Sequence, residues 1–208
     1  LNSLSMAILK FTSPGVPDLY QGNEMLDFSL VDPDNRRPVD YARRAQALEE
    51  ARAAETKGDL AAFARSLAET PHDGRAKLFV TWRLLEARRR MPELFRDGTY
   101  QALRASGGCA DHVLAYARRY GRRTLVVVAG RLFAKLSGEA ERLPLSEAEW
   151  GDTAPSGSAA EVGVYQTMFM WPLLTFGWEL FLETCLDPRF DRIMDEFAEL
   201  NRRLFRAF

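Results

Sequence analysis

The 208 residues carry 47% hydrophobic side chains, enough for a substantial core in one large or two small domains, which excludes a disordered or fibrous chain. Twenty-eight basic residues against 29 acidic ones leave a net charge of -1, a balance that calls for neither nucleic acid nor an anionic membrane surface. Cys109 and Cys185 lack metal-ligand spacing and His72 and His112 are the only histidines, so no metal site, Ser-His-Asp triad or cofactor signature is expected.

The chain opens in helical period: in "LNSLSMAILKF", Leu1, Leu4, Ile8 and Phe11 fall near one face. Ser13-Pro14-Gly15 breaks that period, and Val16 to Gly22, "VPDLYQG", offers a short extended run. A strand there is weakened by Pro17, which has no amide hydrogen to give to a ladder. Between Thr12 and Tyr41, turn residues alternate with acids, arginines and tyrosines, so the backbone is braced and polar groups can be held ready. Such a stretch serves either as a binding rim or as a rigid connection.

From Asp40 the composition turns to alanine, arginine and glutamate, which predicts a helix with Asp40 as N-cap and Gly58 as its stop. Asp59 can cap a second helix to about Glu69, and "GRAKLFVTWRLLEARRR" is a third, closed by Pro92. The cluster Arg88 to Arg90 reads as a solvated helix face, since no aromatic residues interleave it.

The period then becomes alternating. "TYQAL", "HVLAYARRY" and "RTLVVVAG" read as strands of an antiparallel sheet, with "RRYGRR" supplying a turn. Helices followed by strands suggest two packed units with a boundary near Pro92 to Gly98. From Ala154, "APSGSAAEVG" has linker composition, and "VYQTMFMWPLLTFGWELFLET" is apolar on all sides. A membrane span competes there with a buried or partner-facing helix pair, and Pro172, Glu179 and Glu183 favour the pair. Phe190 to Leu204 returns to helical period. The N-terminal residues show no basic region followed by an apolar run, so the expected location is cytoplasmic.

In Ser13 to Glu24, the residues Gly15, Pro17, Tyr20, Gly22 and Glu24 stand in the order Gly, one residue, Pro, two residues, Tyr, one residue, Gly, one residue, Glu. This resembles the segment that glycoside hydrolase family 13, the α-amylase family, places on and just after the eighth strand of its (β/α)8 barrel. The continuation "LDFSLVDPDNRRPVDY" is similar to a trehalose-forming branch of that family, as are "RLLEARRRMPELFRDGTYQAL" and "DHVLAYARRYGRRTLVVVAGR". The resemblance covers about residues 1–152 and fails beyond Ala154.

The resemblance implies an α/β plus β fold: the last strand and helices of a (β/α)8 barrel in residues 1–92, an antiparallel β C-terminal domain in 93–153, and a linker and α-helical tail in 154–208. It implies an isomerase acting on maltooligosaccharides, turning the reducing-end α-1,4 link into α,α-1,1 through a retaining two-carboxylate mechanism. The family's catalytic carboxylates lie upstream of Leu1, in an earlier part of the same enzyme, so no catalytic residue is expected here. Asp27, Asp32 and Asp34 are clustered, but they are better placed to pair with Arg36 or Arg37. The expected contribution is a substrate rim: Glu24, Asp32, Asn35 and Arg36 offer sugar-binding donors and acceptors, and Tyr20 can stack on a pyranose. Loop scaffolding, with Arg36 on Asp32 and Asn35 in an Asx turn, accounts for the same residues. A non-enzymatic carbohydrate-binding or scaffold module is the alternative function.

Overall fold

The computed structural model describes residues 1–137, 147–156 and 167–170. Helices come first: α1 (Asn2–Thr12), α2 (Tyr41–Lys57), α3 (Leu60–Glu69), α4 (Arg75–Arg90) and the short α5 (Pro92–Asp97). Three strands follow, β1 (Thr99–Ser106), β2 (Val113–Tyr120) and β3 (Arg123–Gly130), then α6 (Phe133–Ser137) and α7 (Glu147–Trp150), then β4 (Ala154–Ser156) and β5 (Thr167–Met170).

Local signals set most helix ends. The Asp40 carboxylate accepts the Arg43 amide at 2.9 Å, satisfying one free donor of the first turn of α2. Gly58 ends that helix at φ 78°, where a side chain would be strained. Asp59 occupies the N-cap position of α3 but makes no side-chain capping bond. Pro92 does more than close α4: its fixed φ suits the first turn of α5.

The sheet order is β4-β1-β2-β3-β5. β1, β2 and β3 form an antiparallel meander in the register Thr99 to Arg119 and Val113 to Gly130, with Gly121 at φ 58° in the tight turn between β2 and β3. β4 pairs antiparallel with β1, and β5 lies parallel to β3. The run read as a linker therefore begins as an edge strand. Thr167–Met170, read as part of an apolar helix, is extended instead. The other tail segments discussed above, including the helix pair, lie outside the described residues.

β3 is buried from Thr124 to Ala129 because both its faces are covered. Leu125, Val127 and Ala129, with Tyr116 of β2, meet Ala7, Ile8 and Phe11 of α1, Val80, Leu84 and Ala87 of α4, and Leu94 and Phe95 of α5. This single cluster draws on residues from both sides of Pro92. Val126 and Val128 turn the other way, toward Val113, Ala117 and Trp150. A second layer seats α2 and α3 on α4 through Ala51, Ala64, Leu67 and Phe79. Burying an aromatic such as Phe79 contributes about 2 kcal/mol.

No strand forms at Val16–Tyr20, which takes up no regular secondary structure. Pro17 removes one donor, and each of the described strands lies after Thr99, in a sheet on the far side of α1 and α4 from α2 and α3.

Candidate functional site

The segment between α1 and α2 begins at a heavily bonded joint. The last carbonyls of α1 have no intrahelical partners, and two arginines supply donors. Arg88 donates to the Phe11 carbonyl at 2.8 Å and the Gly15 carbonyl at 3.3 Å. Arg118, only 1% exposed, donates to the carbonyls of Phe95 and Gly98, each at 2.9 Å, and to that of Thr12 at 3.5 Å. Burial disfavours the charge on both guanidiniums, and Arg118 adds repulsion at Arg88. Arg88 thus departs from the solvated face expected of the arginine cluster; Arg89 and Arg90 do face solvent and pair with Glu86.

Beyond Gly15 the chain runs without regular structure to Tyr20 and then turns, with the Asn23 amide donating to the Tyr20 carbonyl at 3.1 Å and the Met25 amide to the Gly22 carbonyl at 3.3 Å. Gly22 sits at φ 86°, and a Cβ there would meet Val39 Cγ2 at 3.1 Å, so this close approach requires glycine. Arg44, in the first turn of α2, donates to the Gly22 carbonyl at 2.6 Å and lies 2.5 Å from the Glu24 carboxylate. Lys77 of α4 donates to the Met25 carbonyl at 3.1 Å. Burial pulls the Lys77 ammonium below its usual range, and nearby Lys10 adds to the shift.

The acids of the next stretch serve the loop. Asp27 accepts the hydroxyl of Ser29 at 2.6 Å and its amide at 2.9 Å, and those bonds hold its carboxyl below the ordinary range. Asp34 accepts the Leu30 amide at 2.7 Å and pairs with Arg37, while Asp32 pairs with Arg36. The Asp–Arg pairings read from the sequence are present.

The five residues singled out from the sequence separate into different situations. Tyr20 is 43% exposed. Glu24 is turned inward to Arg44. Asp32 and Arg36 engage each other on the exposed side of the loop. Asn35 does not complete an Asx turn: its side-chain oxygen is buried without a hydrogen-bond partner, and Asp27 and Asp34 cap the local backbone instead. Exposed Val16, Phe28, Leu30 and Val31 lie along the same segment.

Arg44, Lys77 and Arg118 were not singled out, and Arg88 was read only as part of a solvated face, because the loop and joint groups they hold lie 20 or more residues away in sequence. Of the four, only Arg44 stands on an element that directly flanks the proline-braced loop. A separate cleft of about 290 Å³ between α2 and the turn before α4 is lined by Arg43, Gln46, Ala47, Glu50, Asp73 and Arg75. Its charges are already spent on one another: Arg75 bonds Asp73 and Glu50, and Arg43 bonds the Asp73 carbonyl. His112 is a satisfied core residue, with Nδ1 3.3 Å from the Arg131 carbonyl. Among the described residues, no helix is long and apolar enough to cross a membrane.

A helix, a braced loop, four more helices and then a largely antiparallel sheet are an arrangement consistent with part of the fold of glycoside hydrolase family 13, the α-amylase family. Over part of its length the chain is homologous to one group within it, the maltooligosyl trehalose synthases. It is 36% identical over 162 residues to proteins so described in two strains of Mycobacterium tuberculosis, a match that takes in 76% of this chain and 18% of theirs. The solved maltooligosyltrehalose synthase of Arthrobacter ramosus superposes with a TM-score of 0.54 at 34% identity, over 75% of this chain and 17% of that one. The chain thus spans less than a fifth of the length of these relatives. No protein-family model matches it.

Proposed function

We propose that this chain is the C-terminal part of a cytoplasmic maltooligosyl trehalose synthase, an isomerase that converts the reducing-end α-1,4 link of a maltooligosaccharide to α,α-1,1. The observation that carries the reading is the homology, at 36% identity over 162 residues. In this reading residues 1–92 complete a (β/α)8 barrel and the β C-terminal domain begins at residue 93 and takes in β4 and β5 as well.

The chemistry follows from the linkage exchanged. One carboxylate attacks the anomeric carbon while another protonates the departing oxygen, and both belong to an earlier part of the enzyme. The released glucose turns and its 1-hydroxyl attacks the glycosyl-enzyme, restoring the carboxylate. Water must be excluded meanwhile, since it would yield free glucose instead. The loop around Tyr20 forms part of the wall that keeps the freed glucose in place: Tyr20 offers a stacking face, with Asp32, Asn35 and Arg36 along the same rim. Glu24, committed to Arg44, supports that rim from beneath.

The test is titration of the purified chain with maltopentaose, alongside a Tyr20→Ala variant. Saturable binding by the chain, weakened about tenfold or more in the variant, with no glucose release or trehalosyl ends formed by the chain alone, is the expected result. Absence of binding, or equal binding by both proteins, would remove the rim assignment. Turnover that copurifies with the chain would overturn the placement of the carboxylates elsewhere.

A further inference from the structure

Arg44 reaches both the backbone turn after Tyr20 and the carboxylate inside that turn. Its Nη2 donates to the Gly22 carbonyl at 2.6 Å, its Nε lies 2.5 Å from Glu24 Oε1, and its Nη1 donates to the Asp40 carbonyl at 3.0 Å. Both partners of the ion pair are largely withdrawn from solvent, with side chains 16% and 22% exposed. The pair is therefore less screened than the Asp32–Arg36 pair on the outer side, whose side chains are 55% and 67% exposed.

The planar guanidinium suits this task, because its donors are fixed in a fork and can hold separate acceptors at once. Nη1 rests on the N-cap carbonyl of α2, Nη2 on the Gly22 carbonyl of the loop, and the guanidinium charge lies against Glu24. Position therefore passes from a helix packed on α4 through Ala47 and Ala51 to the turn whose first carbonyl belongs to Tyr20. We infer that Arg44 is a positioning residue that fixes the Gly22–Met25 turn and, through it, the direction in which Tyr20 presents its ring. Lys77, on the Met25 carbonyl alone, is a lesser second tie. The functional consequence rests on the sugar-facing reading of Tyr20: an untied loop must lose conformational freedom on binding, which lowers affinity without changing any group that touches sugar.

The experiment compares the full 208-residue chain with its Arg44→Gln, Arg44→Lys and Lys77→Met variants. Amide hydrogen exchange is followed at Asn23 and Met25 in the turn and along β3 in the core, together with maltopentaose affinity. The expected result is exchange at least tenfold faster at Asn23 and Met25 in Arg44→Gln with β3 unchanged, an intermediate effect in Arg44→Lys, a smaller one in Lys77→Met, and a several-fold weaker maltopentaose affinity in Arg44→Gln. Unchanged turn exchange in Arg44→Gln would overturn the inference. Exchange that rises equally in the turn and β3 would also overturn it, because Arg44 would then serve general stability. Faster turn exchange in Arg44→Gln, with maltopentaose binding absent or unaltered, would uphold Arg44 as the brace and overturn the sugar-facing reading of the loop.

Discussion

The phenol of Tyr116 on β2 lies 2.6 Å from the hydroxyl of Thr12, 104 residues earlier at the end of α1. Thr12 gives its own proton to the Ile8 carbonyl at 2.6 Å, so its oxygen accepts from Tyr116. Burial raises the Tyr116 pKa above the usual phenol range, which keeps that proton in place. Replacing Tyr116 with phenylalanine is expected to cost about 1–2 kcal/mol in urea unfolding. A Thr12→Val and Tyr116→Phe double variant losing less than the sum of the single changes would identify a coupled pair; strict additivity would mean the contact carries no shared energy.

Arg118 is the larger element of the same joint. Arg118→Met keeps the aliphatic stem but strands the carbonyls of Phe95 and Gly98, so a loss of about 2–4 kcal/mol is expected. Calorimetry provides the check, and an unchanged melting temperature would show that water or relaxation meets those acceptors.

Acid stability reports on Asp73. Burial alone would raise its pKa, but hydrogen bonds from the Arg75 amide, the Arg75 side chain and Thr70 outweigh that and hold it below the ordinary value. A carboxyl depressed on folding contributes stability above its unfolded pKa of about 3.9 and loses it as pH falls through the folded one. Asp73→Asn should therefore trail the native chain by about 1 kcal/mol at pH 7 and by much less near pH 3. Equal gaps at both pH values in urea midpoints would contradict the assignment.

The residues after α7 are tied to the turn between β1 and β2. Asp152 accepts the Gly108 amide at 2.9 Å, Thr153 accepts that of Cys109 at 2.9 Å, and β4 then pairs along β1. A chain ending at Asp152 should melt several degrees below one ending at Ser156, consistent with about 1 kcal/mol or more. Coincident melting curves would mean that β4 adds nothing to the sheet.

What could be read in advance was whatever neighbouring residues decide. Asp40 and Gly58 bound α2 through contacts within a few residues, and the valine-rich run of Arg123–Gly130 is β3, buried on both faces and not alternating as read. Val16–Tyr20 fails as a strand because a run of residues becomes one only beside a partner strand. Pro155 gave Ala154–Ser156 the look of a linker, yet an edge position tolerates proline. At the candidate site the Asp–Arg pairs lie within four residues and were legible. The inward turn of Glu24 was not, because Arg44 reaches it from another element. Arg118 looked like one of several polar strand residues, and only the packing of α1 and α5 on β2 reveals its acceptors.

The two sides of α4 are fastened by chemically different means. On the α2 side ion pairs join the carbonyl bonds: Arg44 to Glu24, Arg83 to Glu55, and Arg75 to Asp73 and Glu50. On the sheet side Arg88 and Arg118 hold peptide carbonyls, which take up no proton in the acid range. Salt therefore bears on the two sides unevenly: added ions screen the pairs of the α2 layer, least of all the withdrawn Arg44–Glu24 pair, and leave the bonds to uncharged carbonyls at the α1–β2 joint nearly untouched.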